Sequence, residues 1–225
     1  MPEEQARRST HVDLEASYAA IGASQAVDLM KFPPTDSTPF EFEHRLGSGN
    51  KRFMLSSALL MTWGAQTGTG MKVDVVDIEQ TEHYRGADLS DTEQPVFNSG
   101  KEESFAPDGT PYLRVGAVVK LAEESGFERE MRVLTVVDEE NLVGFVMGST
   151  VLQEVTGEEF FRVEHRADDT VWGVVRGFYH AGDSGIFGLR SKKRLKQMVS
   201  HIEKQIEALA PAVAASTIIN NHEDL

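Results

Sequence analysis

The sequence predicts an α+β protein: a curved antiparallel sheet of about seven strands with a long C-terminal helix packed across it. Three observations carry that expectation. From residue 71 onward the apolar pattern has a period of two, in six short runs separated by turn residues. Leu195, Met198, Val199, Ile202, Ile206 and Leu209 then recur at helical spacing. Finally, 225 residues with 40 % apolar and 26 % charged side chains suffice for one sizeable core without disulfide or metal staples.

The elements follow in order. Residues 1–16 read as a flexible solvated arm, 17–210 as one α+β domain, and 211–225 as a loose tail after Pro211. Lys31-Phe32-Pro33-Pro34-Thr35-Asp36 is an extended, proline-stiffened link. Phe40, Phe42 and Leu46 alternate with Glu41, Glu43 and Arg45, as in a half-buried strand, and His44 falls on the apolar face. Gly47-Ser48-Gly49 ends that strand, and Ser48 is the expected N-cap of a helix reaching about Ala65. Six strands are expected at Met71–Ile78, Leu113–Leu121, Glu130–Asp138, Leu142–Leu152, Glu158–Arg166 and Val171–His180. Short links such as Asp138-Glu139-Glu140-Asn141 and Ala167-Asp168-Asp169 favour successive antiparallel neighbours. Residues 79–112, polar and rich in Gly, Pro and Asp, read as a lid, a mobile loop or an additional strand. The last helix spans about Leu189 to Leu209. At roughly 30 Å it is long enough to lie across a curled sheet, and small side chains beneath it would leave an apolar pocket.

Composition excludes several classes of function. The net charge of −14 opposes docking on a polyanion, so no nucleic-acid partner is expected. The absence of Cys removes thiol nucleophiles, thiolate zinc sites and iron–sulfur clusters. The first residues, MPEEQARRSTHVDLEAS, lack the basic start and apolar block of a secretory signal, so a cytoplasmic location is expected. Phe53 to Met71 is uncharged, but its apolar part stops at Trp63, which is too short for a membrane span.

Several motifs resemble chemistry without completing it. Gly47-Ser48-Gly49 lies between a strand and a helix, as in a dinucleotide site, but Arg52 replaces the third glycine and the preceding strand alternates. A tight turn accounts for it better. Gly182-Asp183-Ser184-Gly185 looks like a protease nucleophile loop, yet no second set of strands is present to build that scaffold. The histidines at 11, 44, 83, 165, 180, 201 and 222 show no ligand spacing, and Asp74, Asp77 and Glu79 read as a solvated edge, so no metal or cofactor is expected. Arg190, Lys192, Lys193, Arg194, Lys196 and Lys204 make the last helix basic, either pairing with acidic strands or forming an anion patch.

The hairpin 158–180 is the most informative stretch. A two-residue tip at Asp168-Asp169 places His165 opposite Trp172, Val163 opposite Val174, Phe161 opposite Arg176 and Glu159 opposite Phe178. The other face, with Glu158, Phe160, Arg162, Glu164 and Arg166, is the more charged and is expected to be the wetter one. Glu159, His165 and Arg176 then lie among inward aromatics. Glu159 and Arg176, diagonal neighbours about 7–8 Å apart, either lock the core or border a ligand cavity.

Further stretches carry a resemblance. Ser17-Tyr18-Ala19-Ala20-Ile21-Gly22-Ala23-Ser24, His44-Arg45-Leu46-Gly47-Ser48-Gly49 with the Trp63-bearing helix, and Val143-Gly144-Phe145-Val146-Met147-Gly148-Ser149 followed by Gly157-Glu158-Glu159-Phe160-Phe161-Arg162-Val163-Glu164 and Thr170-Val171-Trp172 are similar to the motifs of a bacterial and plant family known only as a domain of unknown function, number nineteen-ninety. The resemblance runs over roughly 17–205. It departs from the family pattern at Glu154-Val155-Thr156, at Tyr179-His180-Ala181, and in the length of 79–112. It implies no activity. It implies a helix-grip (START-like) architecture of a kind that holds apolar ligands.

The expected function is therefore binding of a small apolar or amphipathic ligand between the sheet and the final helix. The lining candidates are Glu159, Phe161, His165, Trp172, Arg176 and Phe178, with Phe145 and Met147 behind them. Apolar area would supply affinity, and Arg176 would orient an anionic or carbonyl end. Two other classes stay open: an enzyme using Glu159, His165 or Tyr179 for acid–base chemistry, and an interaction module docking an acidic partner on the basic helix. The oligomeric state is not encoded in any motif.

Overall fold

The computed structural model describes residues 18, 20–78, 106, 109–150, 154–181 and 185–211, with side chains at all of these except 77, 78 and 185–189. The expected arm at 1–16, most of the 79–112 segment, the Gly182-Asp183-Ser184 motif and the tail beyond 211 lie outside the described residues.

The chain alternates between strand and helix as the local periods dictate: β1 (Thr38–Ser48), α1 (Asn50–Met61), α2 (Gly64–Thr67), β2 (Lys72–Ile78), β3 (Ala117–Ala122), β4 (Glu128–Glu139), β5 (Leu142–Ser149), β6 (Val155–His165), β7 (Thr170–Ala181) and α3 (Gly185–Glu207). The seven strands form one curved antiparallel sheet in the order β1-β7-β6-β5-β4-β3-β2. From β2 onward it is the expected meander. The first strand departs from it, since α1 and α2 carry the chain away from β1, which pairs with β7, with Phe40 opposite Gly177 and Phe42 opposite Val175.

The last helix starts and ends a few residues earlier than expected, and the first helix differs from the sequence expectation at both ends. Ser48 closes β1 instead of capping a helix, and Gly49, at φ 84°, is the cap. A positive φ suits glycine, and the Gly49 amide donates to the Asp169 carbonyl at 2.9 Å. The first helix stops at Met61 because Trp63 adopts a left-handed conformation, φ 65°, and a short second helix starts there.

The inner face of the sheet carries the main core. Phe145, Met147, Phe161, Val163, Val175 and Tyr179 meet Leu195, Met198, Ile202, Ile206 and Leu209 of α3, while Phe53, Leu60, Met61 and Trp63 come from the first helices. Helix α3 thus lies across the sheet in a helix-grip arrangement. Its seat depends on Gly173, where a Cβ would come within 3.1 Å of Ile206 and 3.3 Å of Leu46.

A second, smaller core lies on the outer face, formed by Tyr18, Leu29, Leu134, Val146, Phe160 and Phe178. The segment 18–30, with a 3-10 turn at Ala23–Gln25, covers it. The face expected to be wet is therefore dry over half its length: Glu158 is 0 % and Phe160 6 % exposed. Toward the far end Arg162 and Arg166 pair with Glu164 at 2.6 and 3.0 Å, and Arg166 reaches Glu43 at 2.8 Å.

Candidate functional site between the sheet and the last helix

The register of the β6–β7 hairpin decides which side chains face the last helix. His165 pairs with Val171, Phe161 with Val175 and Glu159 with Gly177. The tip is three residues long instead of two: Arg166 donates to the Thr170 carbonyl at 2.8 Å, and Asp169 takes the left-handed conformation, φ 65°. One additional loop residue reverses the facing of the whole second strand. Trp172, Arg176 and Phe178 therefore point to the outer face, contrary to the expectation from a two-residue tip.

Each of these three has partners on that face. Phe178 meets Tyr18 edge-on, with ring centroids 5.8 Å apart. Arg176 donates to the carbonyls of Ser24 and Gln25 at 2.8 and 2.7 Å, which ties down the N-terminal segment. Trp172 lies under the Arg166 guanidinium and donates from Nε1 to Thr170 Oγ1 at 2.8 Å. The expected Glu159–Arg176 pair is thus separated by the thickness of the sheet.

Glu159 finds another arginine. On β4, Arg129 alternates with Met131 and Val133 and shares their inward face. Its Nη1 donates to Glu159 Oε1 and, at 2.7 Å, to the Tyr179 hydroxyl; that hydroxyl in turn donates to Glu159 Oε1. Glu159 and Tyr179 are 0 % exposed and Arg129 4 %. Burial followed by the Glu159 charge pushes the Tyr179 hydroxyl well above the usual tyrosine range. Burial alone would lower the Arg129 pKa, but the charge and hydrogen bond of Glu159 outweigh it and raise the value, so the guanidinium stays charged. Two atoms of the cluster, Glu159 Oε2 and Arg129 Nε, are buried without a hydrogen-bond partner.

The other expected residues divide. Phe161, Phe145 and Met147 are fully buried on the same inward face, and Met147 pairs directly with Glu159. His165 also faces inward, but six residues further along β6, roughly 20 Å from Glu159. There it stacks on Phe53, with centroids 5.6 Å apart, and bonds Asp169 at 2.8 Å. Glu159 and Tyr179 come together; His165 does not join them.

Beside α3 a groove of about 810 Å³ opens against β1, lined by Thr38, Phe42, Leu195 and Val199 with Lys192 and Lys196 at its lip. Phe42 stacks on Phe40 with centroids 6.2 Å apart, and Phe40 on Tyr179 at 5.8 Å, so an aromatic row leads from groove to cluster. On the other flank His201 accepts or donates a hydrogen bond with Thr69 at 3.0 Å. Burial is the main cause of its lowered pKa, and the charges of Arg129 and Glu159 act on it as well. Beneath it Gln66 donates to Gln205 at 3.3 Å. Sequence reasoning did not single out Arg129, Phe40 or Phe42 as site residues. The signal for Arg129 was its position on the apolar phase of β4, and for the two phenylalanines the alternation in β1.

Among the described residues no group of His, Asp and Glu is placed to hold a metal ion, and no helix is long and apolar enough to cross a membrane. The architecture is an α+β helix-grip one. The family model described as "Domain of unknown function (DUF1990)" matches residues 99–185, less than half of the chain; the opening segment and the first strand and helix lie outside the match. No curated protein matches the sequence. Among solved structures, a hypothetical protein, jhp0584, from Helicobacter pylori is similar with a TM-score of 0.52 and 10 % identity, covering 88 % of this chain and 99 % of its own. Ara h 8.0201 aligns with a TM-score of 0.37 and 14 % identity over 76 % of this chain and 99 % of its own. At 10 % identity the likeness to jhp0584 is one of fold.

Proposed function

We propose that the protein binds a small amphipathic molecule beside α3, its apolar body in the groove against Phe42, Leu195 and Val199 and its polar end directed to Arg129, Glu159 and Tyr179. The observation that carries this reading is the buried, under-satisfied ion pair. Burying each ion costs several kcal/mol, and apolar replacements of such pairs are often neutral or stabilising, so fold stability alone is a poor account of it. A native buried donor and acceptor without partners call for an additional polar group. Arg129 Nε supplies a donor and Glu159 Oε2 an acceptor, and their formal charges cancel. The matching head is uncharged and both accepts and donates: an amide, a hydroxyl or a protonated acid.

Of the residues expected to line the site, Glu159, Phe161, Phe145 and Met147 are retained in this proposal. Arg129 takes the orienting part assigned to Arg176. Glu159 and Tyr179 are closed off from solvent, so the head reaches the cluster when α3 shifts from the sheet.

Thermal-shift and native mass-spectrometry titrations with dodecanol, dodecanamide and dodecanoate test the proposal. The neutral probes are expected to raise the Tm more than dodecanoate does. Leu195→Trp, which fills the groove, is expected to remove the response, and Arg129→Met to level the three probes. A response absent for all three, or unchanged in Leu195→Trp, overturns the proposal.

A further inference from the structure

A second cleft, about 500 Å³ in volume, lies beside α1, and none of its described lining residues belongs to α3. Its floor is formed by Phe53, Met61, Tyr112, Leu113, Val136 and Val143. Its position depends on a bulge in β4. The register against β5 shifts between Val133 and Thr135, after which Val136 pairs with Phe145 and Asp138 with Val143. The shift turns Val136 and Asp138 to the inner face, so one strand end supplies both an apolar floor and a carboxylate.

The chemistry of the cleft is asymmetric. Among the described lining residues, Asp138 and Glu139 at the end of β4 and Glu140 after it stand on the rim with the guanidinium of Arg114. Ser57 of α1 lines the cleft; it is 7 % exposed, and its hydroxyl has no hydrogen-bond partner. Met54, 63 % exposed, stands at the lip, with Asn50 donating to its sulfur at 3.8 Å. A buried hydroxyl facing an apolar cleft is an incomplete polar pair, and a rim with excess negative charge selects against anions.

We infer that this cleft is a binding site for small aromatic or alkyl amines that carry a second polar group: the ammonium at the acidic rim, the apolar body on the floor, and the second group at Ser57. The inference does not depend on the groove beside α3, because the two places share no lining residue. A volume of this size lies in the usual range for small-molecule sites.

Titration of the full chain by two-dimensional NMR tests it, with tyramine, phenethylamine and 3-(4-hydroxyphenyl)propionate as probes. Tyramine is expected to bind about fivefold tighter than the propionate, the gain of one partly exposed ion pair. Asp138→Asn with Glu140→Gln, both exposed, removes that preference, and Ser57→Ala removes the advantage of tyramine over phenethylamine. Ala58→Phe fills the cleft and abolishes binding of all three. If the propionate binds as tightly as tyramine, or the double variant keeps the preference, the inference is overturned. Where Ala58→Phe fails to fold, the exposed double variant decides.

Discussion

Adjacent residues Glu158 and Glu159 are both 0 % exposed, yet they belong to different cores because successive side chains of a strand face opposite ways. Glu158 is met on the outer face by the Tyr18 hydroxyl at 2.8 Å, the amides of Gly22 and Ser24 at 2.8 and 2.9 Å, and the Ser24 hydroxyl. Every one of these is a donor, and a carboxylate oxygen of Glu158 accepts each. Burial and then the Glu158 charge raise the Tyr18 pKa, so the phenol remains a donor at physiological pH. Glu158→Ala leaves those donors unmatched and is expected to cost about 3–5 kcal/mol in denaturant unfolding. Faster amide exchange at Gly22 and Ser24 than elsewhere is expected with it. A loss below 1 kcal/mol would show that water replaces the carboxylate and that the segment is not held by it. The pair of glutamates was readable in the sequence; which donors each would meet was not, since Tyr18 and Glu158 are 140 positions apart.

At the scale of elements, the docking of the segment 18–30 on the sheet depends on a missing side chain. Gly148 of β5 lies on the outer face opposite Glu158, and a Cβ there would overlap the Tyr18 hydroxyl and meet Leu134 at 3.0 Å. Gly148→Ala is therefore expected to push Tyr18 off Glu158, with a loss of about 1–3 kcal/mol. The readout is stability together with the Tyr18 ring signals in NMR, and unchanged Tyr18 shifts would refute the dependence. Strands and helices themselves were legible from local periods, with ends displaced by a few residues. The β6–β7 facing was not, because it turns on one loop residue and on Asp169 adopting a positive φ. The bulge in β4 has the same character: it re-aims Val136 and Asp138, and alternation read along the strand places them wrongly.

For the molecule as a whole, the polar groups under α3 link stability to pH. His201 has its pKa lowered in the fold, chiefly by burial. Above about pH 6.5 the imidazole is neutral in both folded and unfolded chains and contributes no pH dependence. As the pH falls below that value, the unfolded chain takes up a proton that the folded one resists, so stability is lost toward the folded pKa. Denaturant midpoints are expected to fall between pH 7.5 and 5.0, and His201→Gln is expected to reduce that fall. Equal slopes for the two proteins would show that another group is responsible. The Thr69 hydroxyl at 3.0 Å and the charges of Glu123, Glu159, Arg129 and Lys204 complete the surroundings of this ring.

The sequence by itself determined the kind and order of elements, the antiparallel succession from β2 to β7, and the apolar stripe that seats α3, because each follows from the spacing of neighbouring residues. Only the tertiary structure decided that β1 closes beside β7, that Trp172, Arg176 and Phe178 turn outward, and that Arg129 rather than Arg176 meets Glu159. The physical reason is the same in each case. Side-chain facing in a sheet is a matter of parity, which a single inserted residue inverts, and contacts between strands two places apart are set by register across the strand between them, which no local pattern records.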